Sequence, residues 1–168
     1  MNFLDPTLLI ASVAVTALVF AVVAYFTRAA PRRILGALTA AAPLVPLVMF
    51  YDAFAAPHGW WRYPSVTTGS APLVWYIAAA LGYGAALGLI GWRVIRRWRV
   101  RGLVIFLVLF ALLGVTRDYA YSVTTDLIVF GPGPIPWLAD LFAYGSGGAL
   151  VQLLMRLLVG PAQSDPLR

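Results

Sequence analysis

"RVIRRWRVR", residues 93–101, sets five arginines between two runs that carry almost no charge. The run before it, about 72–92, and the run after it, about 103–122, each reach the roughly 20 apolar residues needed to cross ~30 Å of hydrocarbon. A basic stretch between two such runs reads as a loop where the chain turns back at a membrane surface. By the positive-inside rule that surface is cytoplasmic. Working outward, the same criterion marks further spans at about 7–26, 34–51 and 136–158, five in all. The first has no basic segment ahead of it and is long for a secretory h-region, so it reads as a retained span.

The other arginines agree with this assignment. Arg28, Arg32 and Arg33 follow the first span, and Arg156 and Arg168 lie at and beyond the end of the fifth. Ten of the twelve therefore fall on one side. The expected topology has the N-terminus outside and the C-terminus in the cytoplasm. The expected fold is an all-α, multi-pass bundle of five helices in the cell membrane, one domain over residues 1–168.

Composition supports lipid as the solvent. Hydrophobic residues make up 62% and charged residues 11%, with a mean hydropathy of +0.88, against roughly 45–50% and about 25% in soluble domains. It also excludes chemistry. There is no Cys, so disulfides and thiolate ligands are absent. The sequence contains no Lys, which removes Schiff-base chemistry, and a single His rules out a multi-His metal site. No phosphate-binding loop, nucleophile elbow, zincin helix or dinucleotide fingerprint is present. Neither a cofactor nor a metal is expected. The net charge of +6 serves topology and contact with membrane lipids; the basic stretch is too short, and too close to the membrane, to be a nucleic-acid site.

The remaining polar groups gather on the opposite, outer side. "YDAFAAPHGWWRYP", residues 51–64, follows the second span and holds Asp52, His58, Arg62, two Trp and two Tyr. Arg117 and Asp118 close the fourth span, Asp126 lies in the next outer loop, and Asp140 sits one turn into the fifth span. Asp52, Arg62 and Asp126 are shallow enough to be hydrated. Asp118 and Asp140 lie within apolar segments, where an unpaired charge costs a few kcal/mol. Trp137, Asp140 and Tyr144 recur at i, i+3 and i+7 and so share a helix face, as do Asp118 and Tyr121. An ion pair for Asp118 is expected from Arg117 or from a neighbouring helix. Gly84, Gly88 and Gly91, with Gly145, Gly147, Gly148 and Ala149, form small-residue faces for close helix packing. These faces suit homo- or hetero-oligomerisation equally well.

Two units of the chain share a pattern. Asp52 and Asp118 each end a span; an outer loop, a Pro, aromatics, a Tyr-Gly pair, small residues and an Arg follow each. Such units would be parallel repeats about an axis along the membrane normal.

"YDAFAAPHGWWRYPSVTTGSAPLVWYI" resembles the signature of integral-membrane lycopene cyclases of the heterodimeric bacterial and fused fungal type. Asp52, Ala55, Gly59, Trp61, Tyr63, Pro64, Gly69, Pro72 and Leu73 fit that pattern, and repetition of the unit is a habit of the family. The likeness covers about residues 45–150. One departure is plain: Val74 and Trp75 stand where the family has a Glu pair after Pro-Leu. The resemblance implies a redox-neutral cyclisation of an apolar isoprenoid, in which an acid protonates a C=C bond and π faces steady the carbocation. Aromatic rings contribute roughly 0.5–2 kcal/mol each to such a cation. The acids available are Asp140, Asp118 and Asp52, in that order. Trp61, Tyr63, Trp75, Tyr121, Trp137 and Tyr144 are the expected substrate-binding rings, with Trp60 and Tyr119 beside them, and His58 offers a base. The alternative is a non-enzymatic membrane subunit or a small-molecule binding or transport component.

Overall fold

A computed structural model describes residues 6–64, 71–125 and 127–164, the side chain of Leu8 excepted. Gly69, Asp126 and Arg168 lie outside the described residues. The chain is predominantly helical, with four helices long and apolar enough to cross a membrane. Helix α1 is Pro6–Thr27. Helices α2 (Pro31–Ala41) and α3 (Leu44–Ala55) form the second apolar stretch. The third runs from α4 (Leu73–Ala78) through a π-helical turn (Ala79–Gly84) into α5 (Ala85–Thr124), and the fourth is α6 (Ile135–Val159).

Residues 34–51, expected as one continuous span, are broken at Ala42–Pro43. Pro43 and Pro46 lack the N–H groups that would bond back four residues, and a proline ring also crowds the carbonyl there. The chain answers with a tighter turn, Val45 N–H to the Ala42 carbonyl at 3.1 Å, and then resumes the helix.

The third stretch is 52 residues long, about 78 Å if it were straight. It is not straight. Arg99 sits at φ 51°, inside the basic stretch, and the helical path breaks there. A Cβ on Gly102 would lie 2.5 Å from the Val94 carbonyl oxygen, and one on Gly91 would lie 2.9 Å from Phe106 Cζ. In an unbroken helix, residues eight apart are about 12 Å apart. The limbs on either side of Arg99 therefore fold back on each other. The second limb also lies along α6: Gly114 faces the Tyr144 ring, and Gly148 faces Phe110 and Leu107.

The main core is built largely of small residues. Ala37, Ala40, Ala41, Ala80 and Ala85 surround Leu44, Leu89, Trp92, Val151 and Met155, so α2, α5 and α6 approach closely. Gly88 meets Val151 and Met155, and Gly82 meets Thr16 of α1. Large apolar side chains point outward instead: Ile10, Leu18, Leu113, Phe142 and Leu157 are each more than 60% exposed. Such a surface is compatible with a membrane protein.

One glycine expectation fails. A Cβ on Gly145 would meet nothing within 4 Å, so this residue lies outside the close-packed face.

The connections after α3 and α5 are more ordered than the sequence suggests. Trp61–Arg62 (β1) pairs antiparallel with Val129–Phe130 (β2), in the register Trp61 opposite Phe130 and Arg62 opposite Val129. Gly131 N–H extends the ladder to the Trp60 carbonyl at 2.8 Å. Gly131 is required there, because a Cβ would fall 2.1 Å from the Gly59 carbonyl oxygen. This ribbon ties together the ends of α3 and α5 that carry Asp52 and Asp118.

Candidate functional site

Asp52 is held on the last turn of α3, 3% exposed. The Trp61 indole Nε1–H donates to its Oδ1 at 2.9 Å, and the Tyr63 hydroxyl donates to the same oxygen at 3.1 Å. The Tyr76 hydroxyl donates to Oδ2 and accepts the Ala71 N–H at 3.0 Å. Burial first, and the nearby Asp52 second, hold the Tyr63 phenol well above its ordinary pKa, so it stays a donor. Both oxygens of Asp52 are thus occupied by rings drawn from α3's own loop and from α4. Trp61 packs with Ala55 and Ile128 in a small second core under the ribbon.

Asp118 has a different shell. Arg117 Nε donates to its Oδ1 at 2.8 Å, within an ion pair of 2.7 Å. The Tyr144 hydroxyl donates to Oδ2 at 2.8 Å and accepts from Arg117 Nη2. The ion pair comes from the adjacent residue rather than from another helix. Neighbours on a helix diverge by about 100°, but the arginine side chain is long enough to curl back. Asp118 itself is 8% exposed.

Asp140, on α6, is 6% exposed and its Oδ2 has no hydrogen-bond partner among the described residues. It lies within electrostatic reach of Asp118, Arg117 and Asp52, and Asp52 and Asp118 sense each other in turn. The three acids therefore occupy one neighbourhood. On the outward side of α6, Leu138 and Phe142 are 61% and 67% exposed.

The aromatic candidates divide. Trp137 stacks on Phe130, with ring centroids 4.0 Å apart, and Tyr119 meets Trp137 edge-on at 5.3 Å. Phe130 in turn lies 6.1 Å from Trp61. Trp61, Tyr63, Trp137 and Tyr144 are thus gathered around the acids, and Trp75 is half-buried on α4, one residue before Tyr76. Tyr121 is not gathered. It is 43% exposed, with Arg117 over its ring, because an i+3 step from buried Asp118 turns it 60° outward. His58 is also at the surface; its Nδ1 is bonded to the Phe54 carbonyl and its ring stacks on Phe54.

Two features escaped the sequence. Tyr76 completes the shell of Asp52 from α4, a helix remote from Asp52 in sequence. At the other end of the bundle, Arg33 is not merely a topology signal. It is 1% exposed, donates to the carbonyls of Gly160, Val159 and Pro161, and lies 5.3 Å from the Trp92 ring. That end also holds a cavity of about 520 Å³ bordered by Arg33, Trp92, Arg99, Gln152 and Arg156. A second cavity, beside Arg32 and Leu158, is similar in volume. Neither of these two is bordered by Asp52, Asp118 or Asp140.

No protein-family model matches the chain, and no curated protein or solved structure matches it either.

Proposed function

We propose that the chain is a membrane-embedded enzyme that cyclises an apolar isoprenoid without redox change, with Asp140 as its acid. The observation that carries this is the contrast among the three acids. Asp52 and Asp118 have both oxygens engaged, while Asp140 keeps an uncommitted Oδ2 in the same buried neighbourhood. A group that donates a proton must have an atom free to meet the substrate. In this reading the Asp140 carboxyl delivers its proton to a C=C bond and the aromatic group Trp61, Trp137 and Tyr144 faces the cation. Loss of a proton from the ring carbon then restores neutrality, so product and precursor have equal mass. Asp118 and Asp52 act as positioning residues. The lycopene-cyclase likeness of about residues 45–150 supports the substrate class, the break at Arg99 supports counting its two limbs as separate crossings, five in all, and the arginine asymmetry supports an N-terminus outside.

Expression in cells that accumulate acyclic isoprenoids, with mass spectrometry of the lipid extract, tests the proposal. A new compound of unchanged mass and altered retention is expected, and its loss in Asp140→Asn. Extracts that match the empty-vector control for every acyclic precursor refute it.

A second reading, a non-enzymatic membrane subunit or a binding or transport component, is favoured by one observation: Asp52 and Asp118 are hydrogen-bonded as structural groups are. If Asp140→Asn and Asp118→Asn both retain full product formation, catalysis by these carboxyls is wrong.

A further inference from the structure

We infer that the basic end of the bundle binds an amphiphile through a phosphate headgroup, seated against Arg99 and Arg156 with its tail leaving past Val100 and Leu153. Arg156 stands sixteen residues beyond Asp140 on α6, about 24 Å away along the axis, so this site is separate from the acids.

Four observations meet there. The cavity, about 520 Å³, is of ligand size, and no acidic residue borders it among the described residues. Of its arginines, Arg33 is committed to three backbone carbonyls that close the end of α6, whereas Arg99 and Arg156 are exposed. Trp92, 2% exposed, also lines the cavity, and its Nε1–H is a buried donor with no partner among the described residues. The rim is apolar and open sideways: Val100 and Leu153 are 74% and 55% exposed. Guanidinium groups match phosphate oxygens in geometry as well as charge. A free phosphate would leave the apolar rim unused, while an amphiphile lying in the bilayer uses both. Basic pockets between helices at a membrane surface hold lipid headgroups in the same way.

The phosphate can belong to an anionic phospholipid or to a prenyl diphosphate, and the test separates them. The full chain, purified in a non-ionic detergent, is titrated with dioleoylphosphatidylglycerol against the net-neutral dioleoylphosphatidylcholine, and with farnesyl diphosphate against farnesol. At least one charged probe should bind about tenfold more tightly than its neutral counterpart, the order expected for two arginines facing an anionic group. The pair with the larger ratio identifies the source. Arg99→Gln combined with Arg156→Gln should bring that ratio close to one. Arg101→Gln, an exposed arginine of the same stretch outside the cavity, should leave it intact. Trp92→Phe, which keeps most of the ring and removes the donor, should lower it a few-fold. Should the double variant elute as an aggregate, Arg156→Gln alone carries the test and must still lower the ratio measurably. Equal binding within both pairs, or a preference untouched by the arginine substitutions, overturns the inference.

Discussion

Asp52 and Asp140 are the same residue type at similar burial, and their neighbours give them different roles. Asp52 collects three donors from Trp61, Tyr63 and Tyr76. Asp52→Ala strands all three, and each unmet buried donor costs about 1–3 kcal/mol. This variant should therefore unfold at a clearly lower temperature than wild type when heated in detergent and followed by tryptophan fluorescence. Asp140→Asn should melt close to wild type, because an amide replaces an oxygen that has no partner. Product formation should respond in the opposite sense, falling by about 10²–10⁴-fold in Asp140→Asn, the usual contribution of a positioned acid. Equal melting temperatures for wild type and Asp52→Ala would show that the ring shell contributes nothing to stability.

At the scale of helices, the contact between α5 and α6 couples packing to the site. A Cβ on Gly114 would lie 2.4–2.5 Å from carbons of the Tyr144 ring, the ring whose hydroxyl holds Asp118. Gly114→Ala must push Tyr144 away from Asp118 and should destabilise by about 1–3 kcal/mol, as overpacking does. Gly145→Ala, one residue beyond Tyr144, faces open space and should be neutral or stabilising by up to about 1 kcal/mol through helix propensity. Thermal unfolding of the two variants side by side checks this. A neutral Gly114→Ala would mean that the helices separate without cost. The prolines at 43 and 46 act at the same scale: they divide the second apolar stretch so that α2 packs on α6 while α3 delivers Asp52 to the ribbon.

For the molecule as a whole, the arginine asymmetry and the fold-back at Arg99 make one joint prediction. The chain contains no cysteine, so single cysteines report cleanly. Asn2→Cys should react with an impermeant thiol reagent in intact cells, and Arg97→Cys should react only after the membrane is opened. Labelling of Arg97→Cys in intact cells, or protection of Asn2→Cys, would reverse or break the proposed topology. Because Asp52, Asp118 and Asp140 lie at one end and Arg99 and Arg156 at the other, the two ends of the bundle are also predicted to fail separately. Substitutions at Arg99 and Arg156 should leave the melting shift of Asp52→Ala unchanged, since sites this far apart add independently.

Much of this was legible in the residue order. Hydropathy adds up along the chain, so the apolar stretches, the helical character and the basic stretch where the path breaks all follow from local composition. The cost of a carboxylate in hydrocarbon is likewise a property of the residue and its flanks, which is why Asp118 and Asp140 stood out. Partnership is not local. Asp52 meets Tyr76, Asp118 meets Tyr144, and Trp61 faces Phe130 across a ribbon, each through distances of a few ångströms between segments remote in sequence. Tyr121 shared a face with Asp118 on a helical wheel, yet a 60° turn sufficed to put it outside. Which acid is enclosed by donors and which keeps a bare oxygen was decided by the tertiary structure alone, because hydrogen bonding depends on where distant side chains meet.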